Sequence, residues 1–150
     1  MKSLFDPNHN NEIIIRINSL TPASKSQWGK MSVSQMMAHS TAPLLMAYGD
    51  AKGSKRGFLG ILFGGMMKKK YVSGAPFTKN RPTDKTFIIT DERKFEEEKQ
   101  KLITQVQRFL KDGPDKITND EHPFFGKMSA QEWDIMQHKH LDHHLRQFGA

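Results

Sequence analysis

Four of the chain's seven histidines lie close together near its end, in the stretch His138-Lys139-His140-Leu141-Asp142-His143-His144. Neutral imidazole nitrogens bind transition metals, and two histidines four residues apart on a helix stand one turn apart on the same side. His140 and His144 have this spacing, so we expect them to bind one divalent ion together. Such pairs also arise on ordinary solvated helix faces, and a metal site needs a third ligand.

The histidine pair requires a helix, and the sequence predicts one with a defined start. Ser129 and Glu132 have the spacing of a capping box, in which each side chain accepts from the other residue's backbone N–H. At about 100° of rotation per residue, the pair shares one broad face with the large apolar side chains of this helix, which are Trp133, Met136, Leu141, Leu145 and Phe148. His138 points largely away from this face, and His143 lies at its edge.

His39 is the candidate for the third ligand. The sequence Trp28-Gly29-Lys30-Met31-Ser32 is echoed much later by Phe125-Gly126-Lys127-Met128-Ser129. Each copy ends in a serine that predicts a helix start, and Gln35 completes the first capping box. His39 lies two turns into that helix, at the edge of its apolar face. The alternative interpretation is a partly buried histidine that bonds a neighbouring polar group.

Composition limits the possible chemistry. The chain has 150 residues and no cysteine, so we expect one domain with its own core and metal ligands drawn from histidine and carboxylate. The net charge of +7 is spread along the chain, apart from Lys68-Lys69-Lys70, and no aromatic-basic recognition motif accompanies it. A nucleic-acid partner is therefore not expected, whereas a preference for small anionic molecules is. The first residues lack a signal-peptide pattern, so we expect a cytoplasmic protein.

Caps, breakers and apolar spacing predict four helices. The first begins at Asp6-Pro7 and ends at Ser19; the second runs from Ser32 to Tyr48; the third follows Thr90 and closes at Gly113-Pro114; the fourth carries the histidines. About forty residues between the second and third helices do not have helical spacing, which is far more than the usual connection in a bundle. A crossover of that length would allow these two helices to run parallel.

This excursion, at 53–76, contains an apolar and glycine-rich segment, Gly57 to Met67, and then three lysines. Turn-rich residues follow at 79–84. The apolar run is about half the length that spans a bilayer. It can pack on its own bundle, fold over a pocket, dock on another subunit or contact a membrane surface. Because a lone loop would expose too much apolar surface, we expect Phe58 to Met67 to be buried against the bundle or in a homodimer contact, and we do not expect a membrane partner.

Two segments resemble the signatures of the DinB-like superfamily, namely Ser32-Val33-Ser34-Gln35-Met36-Met37-Ala38-His39 and His140-Leu141-Asp142-His143-His144-Leu145-Arg146-Gln147. The stretch His122-Pro123-Phe124-Phe125-Gly126, with Glu132-Trp133 and Phe148-Gly149, narrows the resemblance to an uncharacterised branch. The resemblance covers essentially all of residues 1–150. It implies one all-α domain, a four-helix bundle of up-down-down-up topology that is often dimeric, with a divalent ion on His39, His140 and His144.

The resemblance leaves the reaction open, because characterised relatives include transferases that use low-molecular-weight thiols and a maleylpyruvate isomerase. Three neutral imidazoles leave a coordination position for water or substrate, as in catalytic metal sites, and nitrogen ligands suit Zn²⁺ or Ni²⁺. We therefore expect a metal-dependent thiol S-transferase or hydrolase acting on a small molecule. The alternative is a non-catalytic metal- or ligand-binding module with an interaction surface.

The sequence also suggests residues that could assist the three ligands, on weaker grounds. His143 and His122 are the candidate acid–base groups. Asp142, Gln147 and Gln35 are the acceptors closest in sequence that could orient the imidazoles by hydrogen bonds, although Asp142 points away from the ligand face of a regular helix.

Overall fold

A computed structural model describes residues 1–53, 57–79 and 87–150. Over these ranges the chain is all-helical and forms no β-strand. Its five α helices are α1 (Pro7–Ser19), α2 (Val33–Ala47), α3 (Phe58–Tyr71), α4 (Phe95–Asp112) and α5 (Ala130–Gln147). A short 3₁₀ turn, Pro114–Lys116, follows α4. Within the described ranges, every helix is too short or too polar to cross a membrane.

The repeated aromatic-Gly-Lys-Met-Ser sequence builds the same helix entrance twice. Ser32 Oγ accepts from the Gln35 N–H at 3.2 Å while the Gln35 side chain accepts from the Ser32 N–H at 2.9 Å. Ser129 and Glu132 form the equivalent pair at the start of α5. The glycine of each copy has a φ near +75°, at 79° and 73°, a conformation that glycine adopts without steric cost. Both predicted capping boxes are confirmed.

The start of α4 differs from the prediction. The sequence predicts a helix that follows Thr90, whereas α4 begins at Phe95 with Lys94 as its cap residue. Asp91 is used outside the helix, because its carboxylate pairs with Arg93 at 3.0 Å and its carbonyl accepts from the Gln35 side chain at 3.2 Å. The contact with Gln35 holds Asp91 against α2, so that this residue does not belong to the first turn of α4.

The prediction that the excursion lacks a helix is wrong, because α3 lies within it. The residues of α3 that turn inward and are buried are Gly60 and Gly64. Large apolar side chains point outward, and Phe58, Ile61 and Met66 are 73%, 63% and 65% exposed. The predicted burial of Phe58 to Met67 against the bundle is therefore also wrong, and the homodimer contact stays a prediction. Residues 54–56 of the excursion and 80–84 of the predicted turns lie outside the described ranges.

Helices α2 and α4 run in the same direction. Near their starts, Gln35 bonds the carbonyl of Asp91. Near their ends, the Tyr48 hydroxyl donates to the Arg108 carbonyl at 3.4 Å, and the Arg108 guanidinium lies 4.0 Å from the Tyr48 ring centroid. The long connection therefore returns the chain along the molecule before α4 begins.

Helices α1 and α5 are likewise parallel to each other. The Leu4 N–H donates to the Asp134 carboxylate at 2.6 Å near their starts, and Arg16 pairs with Asp142 at 2.8 Å near their ends. Helix α1 packs on α4 and α5. Helix α2 packs on the same two helices.

The hydrophobic core lies between these four helices. All five apolar residues predicted to share a face of α5 are buried, as are Ile13 and Ile17 of α1 and Leu102, Val106 and Phe109 of α4. Burying one such side chain stabilises the fold by about 1.5–3 kcal/mol. This packing fixes the rotation of α2 and α5 about their axes, and hence the direction in which their histidines point.

Candidate metal centre

Three histidines from two helices meet at one point. The Nε2 atom of His140 lies 3.1 Å from that of His39 and 3.2 Å from that of His144. One ring nitrogen from each of the three lies within 4.8 Å of the others, a grouping that could hold a metal ion. The structure thus brings the three predicted ligands together, although a hundred residues separate α2 from the pair on α5.

Two of the three nitrogen–nitrogen distances match those between ligands of one ion. Zn–N bonds of about 2.0–2.1 Å place two nitrogens about 2.9–3.4 Å apart at octahedral to tetrahedral angles. Both distances to His140 Nε2 fall in that interval. The i,i+4 spacing on α5 sets one distance, and the packing of α2 on α5 sets the other.

Hydrogen bonds on the outer nitrogens fix two of the tautomers. His39 Nδ1 lies 2.9 Å from the Phe87 carbonyl, and His144 Nδ1 lies 2.8 Å from Gln147 Oε1. Each partner oxygen only accepts, so both Nδ1 atoms donate, and the neutral rings direct their Nε2 lone pairs inward. A single proton on His140 Nε2 can satisfy only one of the two lone pairs that face it. A bound cation would satisfy both at once.

The third imidazole is held differently. His140 Nδ1 is buried and has no hydrogen-bond partner among the described residues. By accessible surface, His39 and His144 are buried while His140 is partly exposed. His140 is therefore the one residue of the three that retains appreciable solvent contact.

The electrostatic setting keeps the ligands neutral. Burial lowers the pKa of His144 to about 3, and burial with the neighbouring imidazoles lowers the pKa of His140 well below its ordinary value. Burial also lowers the pKa of His39. Since only the unprotonated imidazole binds a metal, all three rings are available as ligands at neutral pH.

Gln147 links the centre to the entrance of α2. Its Oε1 atom accepts from His144, and its Nε2 atom donates to the Trp28 carbonyl at 2.6 Å. Gly29 allows this approach, because a Cβ at that position would lie 2.5 Å from Gln147 Nε2. The glycine of the repeated sequence therefore makes room for the group that orients a ligand.

Replacing Gln147 by leucine should weaken binding of Zn²⁺ by about 10–100-fold, the usual cost of losing a residue that orients a metal-bound imidazole. The substitution removes the acceptor for His144 Nδ1 while keeping a similar volume in a buried position. Competition with a chromophoric chelator measures the affinity. The matched control is Gln137→Leu, because Gln137 is a fully buried glutamine of α5 and its amide bonds none of the three ligands. Equal affinities for both variants would contradict the role of Gln147.

The family model described as "Protein of unknown function (DUF1569)" matches residues 5–150. The chain belongs to the DUF1569 family. No curated protein and no solved structure matches it.

Of the two acid–base candidates in this DUF1569 chain, one lies beside the centre. His143 has its ring centroid 5.2 Å from that of His144, and it sits between the rings of Trp28 and Phe77 at 5.7 and 6.1 Å. Burial lowers the pKa of His143, so this imidazole is neutral and able to accept a proton at pH 7.

His122, the other candidate, lies in a different part of the fold. Its ring centroid lies 4.5 Å from Phe125 and 5.4 Å from Trp133. Its Nδ1 atom accepts from the Phe124 and Phe125 N–H groups at 3.1 and 3.2 Å. Trp133 precedes His140 by about two helical turns, or about 10 Å along α5. His122 therefore supports the turn before α5 rather than the histidine centre.

Of the three residues predicted to orient the imidazoles, one bonds a ligand histidine and two do not. Gln147 bonds a ligand, whereas Asp142 pairs with Arg16 and Arg146, at 2.8 and 3.0 Å, and Gln35 serves the α2 cap. The Phe87 carbonyl orients His39 and was not predicted. A backbone carbonyl leaves no signal in the side-chain pattern, so only the fold of the connection could reveal it.

His138 points away from the centre, as predicted. It packs instead against α1, where its ring centroid lies 6.4 Å from that of His9. The residue is buried, and burial lowers the pKa of His138 to about 4. This histidine is thus a neutral core residue rather than part of a solvated basic face.

Proposed function

We propose that the chain is a divalent-metal protein of the DinB-like superfamily in which His39, His140 and His144 bind one Zn²⁺ or Ni²⁺ ion. The observation that carries this proposal is the convergence of three Nε2 atoms, two of them with tautomers fixed to direct lone pairs inward. Nitrogen ligands suit these two ions, whereas Mg²⁺ and Ca²⁺ favour oxygen ligands.

We further propose that α1, α2, α4 and α5 form one four-helix bundle of up-down-down-up topology. The parallel pairs α1/α5 and α2/α4 support it, and so does the antiparallel packing of α1 on α4, in which Asn10 bonds the Val106 carbonyl and Lys99 bonds the Asn18 carbonyl. In this description α3 is an addition within the crossover between the second and third bundle helices.

The proposed activity is metal-dependent chemistry on a small molecule, either thiol S-transfer from a low-molecular-weight thiol or hydrolysis. Such an ion supplies Lewis acidity and lowers the pKa of a bound thiol or water. Three protein ligands leave a position for that group, and the partial exposure of His140 supports access to it. We propose His143 as the group that would receive a proton from a thiol or water bound there, and its ring contact with His144 supports this role.

A non-catalytic metal module is the second candidate function. One cavity of about 250 Å³ is lined by residues that include Trp133 and His122, and none of the three ligand histidines lines it. This separation of the cavity from the ligands favours a non-catalytic role. If no substrate cavity adjoins the three ligands, the ion would stabilise the packing of α2 on α5 instead of performing chemistry.

One experiment separates these functions. Protein purified without an affinity tag is reconstituted with one equivalent of Zn²⁺ or Ni²⁺ and assayed for transfer of a low-molecular-weight thiol to electrophiles and for hydrolysis of activated esters. An enzyme should show turnover that a chelator removes, that His140→Ala abolishes and that His138→Ala retains. Metal binding without turnover across these substrates would favour the non-catalytic module.

A further inference from the structure

The outward face of α3 is the largest group of exposed apolar side chains on one helix of the described chain. The exposed fractions are 73% for Phe58, 64% for Leu59, 63% for Ile61, 55% for Leu62, 45% for Phe63 and 65% for Met66. Single exposed apolar residues are ordinary, but a contiguous patch of this kind marks an interaction surface. We call these six residues the α3 apolar face.

The rest of the molecule holds α3 by its opposite side. Gly60 and Gly64 are buried, and Tyr71 lies 4.9 Å from Phe125 between ring centroids. Lys68 donates to the Lys127 carbonyl at 2.8 Å and pairs with Glu132 at 3.1 Å. The buried side of the helix therefore consists of glycines, while every large apolar side chain before Met67 projects outward.

The chain segment that carries this face has charges of one sign. Between Asp50 and Asp84 the sequence contains eight lysines and arginines and no acidic residue. Lys69 and Lys70 are exposed and follow Met66 by three and four residues, which places them on the same side of the helix in its last turn. The surface is therefore apolar along most of α3 and basic at its end.

We propose that the α3 apolar face docks the protein on an anionic lipid surface. Exposed apolar side chains along a helix insert between headgroups, and adjacent lysines bind lipid phosphates. The sequence led us to expect no membrane partner, and the apolar run is about half the length that spans a bilayer, but its exposed side chains favour binding at a membrane surface.

A second copy of the chain fits this face less well than an anionic lipid surface. Two copies that meet through α3 would bring two basic, acid-free segments together, and each chain has a net charge of +7. Like charges at close range oppose association, whereas a negative surface attracts both lysines and the whole chain. The charge of the chain therefore favours an anionic lipid surface over a second copy as the partner of this face.

Flotation with lipid vesicles tests the proposal on the full chain. The protein should float with vesicles of equal parts phosphatidylcholine and phosphatidylglycerol, and it should not float with phosphatidylcholine alone. Raising the salt concentration should weaken the binding, because the lysines contribute through a screened interaction. Failure to float with the anionic vesicles would overturn the proposal.

Two pairs of variants separate the apolar and basic contributions. Leu59→Gln with Leu62→Gln should weaken vesicle binding by roughly tenfold or more, whereas Ile15→Gln should not, although Ile15 on α1 is 60% exposed. Lys69→Gln with Lys70→Gln should weaken it roughly thirtyfold, and Lys111→Gln with Lys116→Gln, which removes the same charge elsewhere, should have a much smaller effect.

Two measurements keep a negative result interpretable. Circular dichroism and Zn²⁺ binding should be unchanged in every variant, since α3 provides no metal ligand. Sedimentation velocity without lipid should show the same oligomeric state for the wild type and the Leu59→Gln, Leu62→Gln variant. If the wild type is a dimer that this variant dissociates, the α3 apolar face binds a second copy and the lipid proposal is wrong.

Discussion

Replacing His39 by alanine should lower the affinity for Zn²⁺ by more than about a hundredfold, which exceeds the usual cost of losing an outer orienting residue. His39 contributes one of three inward-facing nitrogens, and no other described histidine, cysteine or carboxylate completes a group of three at this site. His140→Ala should have an equal effect. The measurement is a competition titration with a chromophoric chelator on protein that carries no affinity tag.

His138→Ala is the matched control for this loss. His39 and His138 are both buried histidines, with 4% and 5% of their surface exposed, and each lies on a helix that carries the site. Only His138 faces α1 instead of the centre. The His138→Ala variant should keep wild-type affinity for Zn²⁺. If it loses the metal and His39→Ala retains it, the ligand assignment is wrong.

Acidification from pH 7 to pH 5 should destabilise the metal-free protein by about 4 kcal/mol from two histidines alone. The pKa of His144 is lowered by burial to about 3 and that of His138 to about 4, whereas an unfolded histidine has a pKa of about 6.5. Below that value the unfolded chain binds protons that the folded chain excludes. Stability is therefore fully present above about pH 6.5 and falls by about 2 kcal/mol per histidine at pH 5.

Denaturant unfolding in the presence of a chelator measures this pH dependence. His138→Leu removes one of the two buried groups and keeps an apolar side chain in its place, so its loss of stability between pH 7 and pH 5 should be smaller by about 2 kcal/mol. A free energy of unfolding that stays constant over this range in the wild type would mean that these histidines titrate normally in the folded protein.

Most of the features that the sequence predicted correctly depend on local sequence. Asp6, Ser32 and Ser129 each cap a helix with their own side chain, and Gly113 ends α4 at a φ of 68°. These signals need only a few neighbouring residues. The i,i+4 histidine pair on α5 is equally local, and this explains why two of the three converging histidines were predictable from spacing alone.

The parts that were missed depend on distant contacts. Helix α3 was missed because its buried side consists of Gly60 and Gly64, so its apolar residues lack the usual inward periodicity. The position of His39 at the centre depends on the packing of α2 on α5, which angular counting within one helix cannot give. His122 has the residue type of an acid or base, but its Nδ1 atom accepts backbone hydrogen bonds within the turn that precedes α5.

The most direct test of the central claim is X-ray absorption spectroscopy at the zinc edge, on tag-free protein with one equivalent of Zn²⁺. Three coordinated imidazoles at about 2.0 Å should be present, together with one oxygen ligand from water. In His39→Ala the imidazole count should fall by one or the ion should be lost. A wild-type spectrum with fewer than three imidazoles, or one that His39→Ala leaves unchanged, would contradict a metal centre formed by His39, His140 and His144.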